Sequence, residues 1–146
     1  MRVLDELKWL ADTVYQEAGG EPWEGMLGVA FVICTRATRA SRSISDTVLV
    51  AKQFSAWDTE SPTRLRLDDI WTTVGAARAW EQGYMAGCAA YFKLVADPTN
   101  GADHYLNVTA VSRIPRWAAD PEVPTTINAE WVTAVLGRHT FMKLGP

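Results

Sequence analysis

Leu7, Leu10, Ala11, Val14 and Ala18 recur at three- and four-residue spacing, the period of one helical face, and predict a first helix over residues 3–18. A second helix is predicted over 22–40. There Met26, Leu27, Val29, Ala30, Phe31, Val32, Ile33 and Cys34 are apolar nearly all round, and a helix without a polar face belongs at the centre of a core. Ile44 to Ala51 reads as a short third helix, with Ser45 and Asp46 as candidate caps. Alternation in Gln53–Trp57 suggests a strand or extended loop, and the polar run Asp58 to Arg66, which contains Pro62, suggests a mobile surface loop. The longest helical stretch runs from Asp68 to Ala96, with a break open at Gly75, Gly83 or Gly87. Its small residues Gly83, Ala86, Gly87 and Ala90 would admit another helix at close range. Asp97-Pro98-Thr99-Asn100-Gly101 is a turn signal, since proline and Asn-Gly both fix turn dihedrals. Asp103 to Val108 predicts a short strand, and three prolines exclude regular helix throughout 109–128. Trp131 to Val135 and Thr140 to Leu144 predict a terminal hairpin around Gly137-Arg138-His139. The sum is a mainly α (α+β) single domain, residues 1–146, with a small β element near the C-terminus.

Composition narrows the functional classes. A chain of 146 residues fits one core, and 48% hydrophobic with 21% charged is ordinary for a soluble globular protein. The formal charge of −3 implies no general attraction to nucleic acid. Arg36, Arg39 and Arg42 do cluster, and read as a solvated helix end. No apolar run approaches the ~18 residues a membrane span needs, and the N-terminus lacks the apolar segment of a secretory signal. The expectation is a monomer made in a cytoplasm. Cys34 and Cys88 sit in apolar helical patterns and read as free thiols rather than a disulfide or a nucleophile. Two histidines, His104 and His139, make a zinc site an unfavoured reading, so neither a metal nor a cofactor is expected. Seven tryptophans are many for this length, and aromatic faces suit sugar rings.

The candidate chemistry lies in Val14 to Gly25, where Glu17, Glu21 and Glu24 fall within eight positions. Glu17 stands three residues after Val14 and seven after Leu10, so it projects from the apolar face of the first helix. Gly19-Gly20 would end that helix in the left-handed conformation, and Pro22 would open the next. A carboxyl against apolar surface beside an open turn holds its proton to higher pH, as a general acid must. The alternative is an ordinary solvated end residue. Glu21 and Glu24 read as solvated residues at the positive end of the second helix, with Glu21 the other candidate acid.

Four blocks of the chain resemble the SleB-type cell-wall hydrolases, which include spore cortex-lytic enzymes and phage relatives. Tyr15-Gln16-Glu17-Ala18-Gly19-Gly20-Glu21-Pro22-Trp23-Glu24-Gly25 resembles the family's opening G-E-A-R-G-E-P-Y-E-G motif. Gln53-Phe54-Ser55 with Trp57 resembles Q-F-S-x-W. Asp97-Pro98-Thr99-Asn100-Gly101-Ala102 followed by Tyr105 and Asn107 resembles D-P-T-N-G-A and a Y-x-N strand. Gly137-Arg138-His139-Thr140-Phe141 resembles G-x-H-x-F. The blocks keep the family's order from about residue 7 to 143. Gly19 stands where the family usually has arginine, and Gln16 where it often has glycine.

The resemblance implies a lysozyme-like fold related to the lytic transglycosylases. It makes Glu17 the sole catalytic carboxyl, cutting between N-acetylmuramic acid and N-acetylglucosamine of a peptidoglycan glycan strand to give a 1,6-anhydro product. Tyr105 and Asn107 lie two apart, so on a strand they share a face and could bond Glu17 or the sugar N-acetyl group, a plain core tyrosine being the alternative. Gln53 and Ser55 also share a face and could bind glycan from the opposite wall. His139 is a core residue, a ligand contact or a metal ligand. Trp57 and Trp117 are the tryptophans expected near the sugar, with core packing the alternative for each. The lack of a leader or wall-binding module suggests a phage endolysin, which would reach the periplasm after release. A hydrolytic muramidase and a non-catalytic glycan-binding or virion module are the competing readings.

Overall fold

The structure is a computed structural model that describes residues 2–50, 54, 57, 67 and 69–144. Four helices come first: α1 (Val3–Ala18), α2 (Trp23–Ala40), α3 (Ile44–Val48) and α4 (Val74–Tyr91). Three strands follow: β1 (His104–Asn107), β2 (Val132–Leu136) and β3 (His139–Met142). They form an antiparallel sheet in the order β1-β3-β2, with short 3-10 turns at Val108–Ala110 and Ala129–Trp131. The mainly helical reading with a small C-terminal sheet therefore holds.

Helix α2 lies at the centre of the core, as its unbroken apolar pattern requires. Met26, Val29, Val32 and Ile33 are buried there with Leu10 and Val14 of α1 and Phe141 of β3. Gly28 admits the Phe141 ring, because a Cβ on Gly28 would stand 2.6 Å from Phe141 Cζ. Small residues also set the α1–α4 distance. A Cβ on Gly87 would meet Leu10 Cγ at 3.2 Å, and one on Gly83 would meet the Ala11 carbonyl oxygen at 3.4 Å. Gly83 and Gly87, which seemed able to break this helix, instead let α1 approach it, and α4 runs through all three glycines.

The central strand β3 is buried on both faces. Tyr105 pairs with Phe141 and Asn107 with His139, and these side chains share the face turned to the helices. His104, Leu106, Thr140 and Met142 take the other face, where Leu106 and Met142 pack on Ala118 in a second cluster.

Several boundaries differ from expectation for local reasons. α4 is shorter than Asp68–Ala96: Thr73 caps its start by accepting from the Ala76 amide, and Lys93 takes a left-handed φ of 52° just past its end. α3 stops at Val48 rather than Ala51. α1 does end at the glycine pair, but Gly19 stays right-handed at φ −64°. Gly20 serves space rather than handedness, since a Cβ there would lie 3.3 Å from an Arg138 guanidinium nitrogen. Pro22 caps α2 from outside, and the first helical residue is Trp23. The proposed loop 58–66 and most of the Gln53–Trp57 segment lie outside the described residues.

Candidate active site

Glu17 sits in the last turn of α1, half-buried, with the phenol of Tyr105 on β1 donating to its Oε2 at 2.9 Å. This bond joins residues 88 positions apart and brings the C-terminal end of α1 to the sheet. Burial raises the Tyr105 phenol well above its ordinary value, and the Glu17 charge and hydrogen bond raise it further, with Arg36 acting the other way. The phenol therefore stays protonated and donates. One turn back along the same face of α1, the Thr13 hydroxyl accepts from the indole of Trp57 at 2.9 Å. Trp57 also packs on Trp9, with ring centroids 4.9 Å apart.

Arg36 closes the site from α2. Its Nε donates to the Asp103 carbonyl oxygen at 2.6 Å, and its guanidinium carbon lies 5.2 Å from the centroid of Phe54. Burial pulls this guanidinium below its ordinary value, while the nearby Tyr105, Asp103 and Glu17 act the other way. An arginine near a helix end is ordinarily solvated. The signal that this one is not lies in its spacing, three residues after Ile33 and four after Val32, both fully buried.

A second layer stands behind Tyr105. Glu21 is buried rather than solvated: its carboxylate accepts from the Arg138 amide at 3.1 Å and from Arg138 Nε at 3.0 Å. Gly137, at φ 59°, allows the turn to press against Glu21, because a Cβ there would collide with the carboxylate. His139 is only 3% exposed, and its ring meets the Tyr105 ring edge-on at 5.2 Å. His139, for which a core place and a ligand contact were both open, is packed against Tyr105. Its Nδ1 has no hydrogen-bond partner among the described residues, the Glu21 carboxylate being 3.6 Å away.

Burial draws the His139 imidazole below its ordinary value, Glu21 opposes that and Arg138 reinforces it. In the unfolded chain the ring takes its proton near pH 6.5. As the pH falls below that value the unfolded state binds protons the folded state refuses, so stability is lost until the folded ring also titrates. A His139→Gln variant lacks this term. The thermal midpoint advantage of the wild type over His139→Gln should be widest above pH 7 and narrow steadily towards pH 5. A gap that stays constant across that range would contradict it.

The other residues singled out from sequence divide. Asn107 shares the Tyr105 face, but its side-chain oxygen accepts from the amide and hydroxyl of Thr109 at 3.2 and 2.7 Å and caps a 3-10 turn. Trp117 is 41% exposed and packs on His104, on the sheet face opposite Tyr105. Gln53 and Ser55 lie outside the described residues. Glu24 is exposed. Burial pushes the Cys34 thiol up to about 12, with Glu6 adding to it, so that thiol is no nucleophile. Among the described residues, no group of three or more metal-ligating side chains forms, and no helix is long and apolar enough to cross a membrane. Sequence reading missed Arg36, Arg138 and the burial of Glu21. The last two meet across 117 positions, where no local pattern reports contact.

A helical body with Glu17 at the end of α1, roofed by a three-stranded sheet, has counterparts among known proteins. The family model for cell wall hydrolases matches residues 20–142, and the chain belongs to that family. The matched span begins just after Glu17. The fold is similar to the catalytic domain of the germination-specific lytic transglycosylase SleB from Bacillus anthracis, at 24% identity and a TM-score of 0.66, covering 97% of each chain. It is also similar to the catalytic domain of the Bacillus cereus SleB protein, at 24% identity and a TM-score of 0.65, covering 98% of this chain and 93% of that one. No curated protein matches the chain.

Proposed function

We propose that this protein cleaves the bond between N-acetylmuramic acid and N-acetylglucosamine in peptidoglycan as a lytic transglycosylase, with Glu17 as its catalytic acid and base. The observation that carries the reading is the Tyr105–Glu17 hydrogen bond, which fixes a half-buried carboxyl at the junction of helix and sheet. Glu17 gives its proton to the glycosidic oxygen as the bond to C1 breaks, and the N-acetylglucosamine side leaves as an alcohol. The carboxylate then takes the proton of the muramic acid C6 hydroxyl while that oxygen closes on C1. No water is consumed and the acid is restored.

Arg36 lies close enough to Glu17 for their charges to interact, and so favours the anion between the two steps. Glycosidases that use water employ two carboxyls. Here Glu21, the neighbouring carboxyl in sequence, is buried and held by Arg138. Lytic transglycosylase is also the activity named for the SleB of Bacillus anthracis, whose fold this chain shares. Trp57, pinned one turn from Glu17, is the proposed aromatic contact for the sugar.

Mass spectrometry of the muropeptides released from purified murein tests the reaction. The expected fragments end in 1,6-anhydromuramic acid, one water lighter than hydrolytic fragments. Reducing ends alone would make the protein a muramidase. Binding to murein without release of fragments would make it a glycan-binding module. Clearing of permeabilised Gram-negative cells would extend the reading to an endolysin.

A further inference from the structure

Behind Arg36 the chain forms an open pocket of about 360 Å³ between the end of α2, α3 and the start of β1. Its walls include Arg36, Arg39, Arg42, Thr47, Asp103 and His104. Three arginines therefore line the pocket beside one aspartate. That carboxylate is already engaged: Asp103 Oδ2 accepts from Arg39 at 2.6 Å, and Oδ1 accepts from the Leu144 amide at 2.8 Å beside His104 Nδ1, also at 2.8 Å. Arg36 donates to a backbone carbonyl rather than a carboxylate, and Arg42 is exposed without an ion pair among the described residues. The negative end of α2 favours cations nearby and accounts for exposed arginines there. It does not account for a desolvated Arg36 forming the wall of a concave site.

Guanidinium groups present a planar fork that matches a carboxylate, and a pocket with unmatched positive charge attracts one. The site adjoins the proposed reaction centre through Arg36, which lines the pocket and lies close enough to Tyr105 and Glu17 to interact with both. In peptidoglycan, the muramic acid at the cleaved bond carries a stem peptide bearing free carboxylates. We infer that the arginine pocket binds a carboxylate of that stem peptide and makes peptide-bearing glycan the preferred substrate. The inference rests on the proposed peptidoglycan reading.

Calorimetric titration with two ligands that contain no scissile bond tests it apart from catalysis. One is the N-acetylglucosaminyl-N-acetylmuramic acid disaccharide; the other is the same disaccharide carrying its tetrapeptide. The wild type should bind the peptide form about tenfold more tightly, the scale of one hydrogen-bonded charge contact. Arg42→Glu should abolish that preference and Arg42→Gln reduce it, with unchanged circular dichroism, because Arg42 is exposed. Equal affinity for the two ligands, no binding of either, or a preference that survives Arg42→Glu would overturn the inference. Tighter binding of a glycerol phosphate oligomer than of the peptide form would also overturn it, by assigning the pocket to a phosphodiester polymer. Cleavage of murein by a wild type that shows no peptide preference would sink this inference alone. A peptide preference in a protein that leaves murein intact would sink only the proposed reaction.

Discussion

Glu17→Gln is expected to lower murein cleavage by a factor of about 10² to 10⁴, the range for loss of a positioned general acid. The amide keeps the size of the carboxyl, and its carbonyl oxygen can still accept from the Tyr105 phenol. The fold should therefore survive, with a stability change of about 1 kcal/mol or less, typical of a partly exposed hydrogen-bonding group. Turbidity loss on purified murein, read beside a thermal melt, separates the two quantities. Normal melting with lost cleavage supports the assignment. Normal cleavage would transfer the chemistry to another residue.

Phe141→Ala should have the largest effect on stability. The ring is fully buried, and it occupies space left by Gly28 while meeting Tyr105 at 6.0 Å. Removing it leaves a cavity that helices α1 and α2 cannot close without shifting. Such truncations cost about 3–5 kcal/mol. For a chain of this length that lowers the thermal midpoint by about 6–20 °C. Calorimetry measures it, and a fall of less than about 3 °C would show that the core collapses around the gap. Val135→Ala on the neighbouring strand, where the side chain is 65% exposed, should shift it far less.

The helices were legible because their information is local. The three- and four-residue apolar spacing placed α1 at its observed limits, and the fully apolar run placed α2 at the centre. The same spacing put Glu17 on the inner face, where it lies half-buried. The ends of α4 were less legible, since Thr73 as a cap and Lys93 in the left-handed region leave little trace in hydrophobic periodicity. The glycine pair after α1 was assigned to handedness, whereas Gly20 leaves room for Arg138, a partner far along the chain. Tyr105 and Asn107 were correctly put on one face of a strand. Nothing in that alternation showed that Asn107 would turn to cap Thr109 while Tyr105 reached Glu17. Buried polar partnerships such as Glu21–Arg138 depend on tertiary folding, and residue types alone do not announce them.

The hook between Gly137-Arg138 and Glu21 also bears on synthesis. Glu17 and Glu21 leave the ribosome before their partners Tyr105 and Arg138, which follow 88 and 117 residues later. Contacts of such high sequence separation form only after the intervening chain is available. A nascent chain can thus assemble its first helices while Glu17 and Glu21 still lack these partners, and the junction of helix and sheet closes only once residues 105–138 have been made.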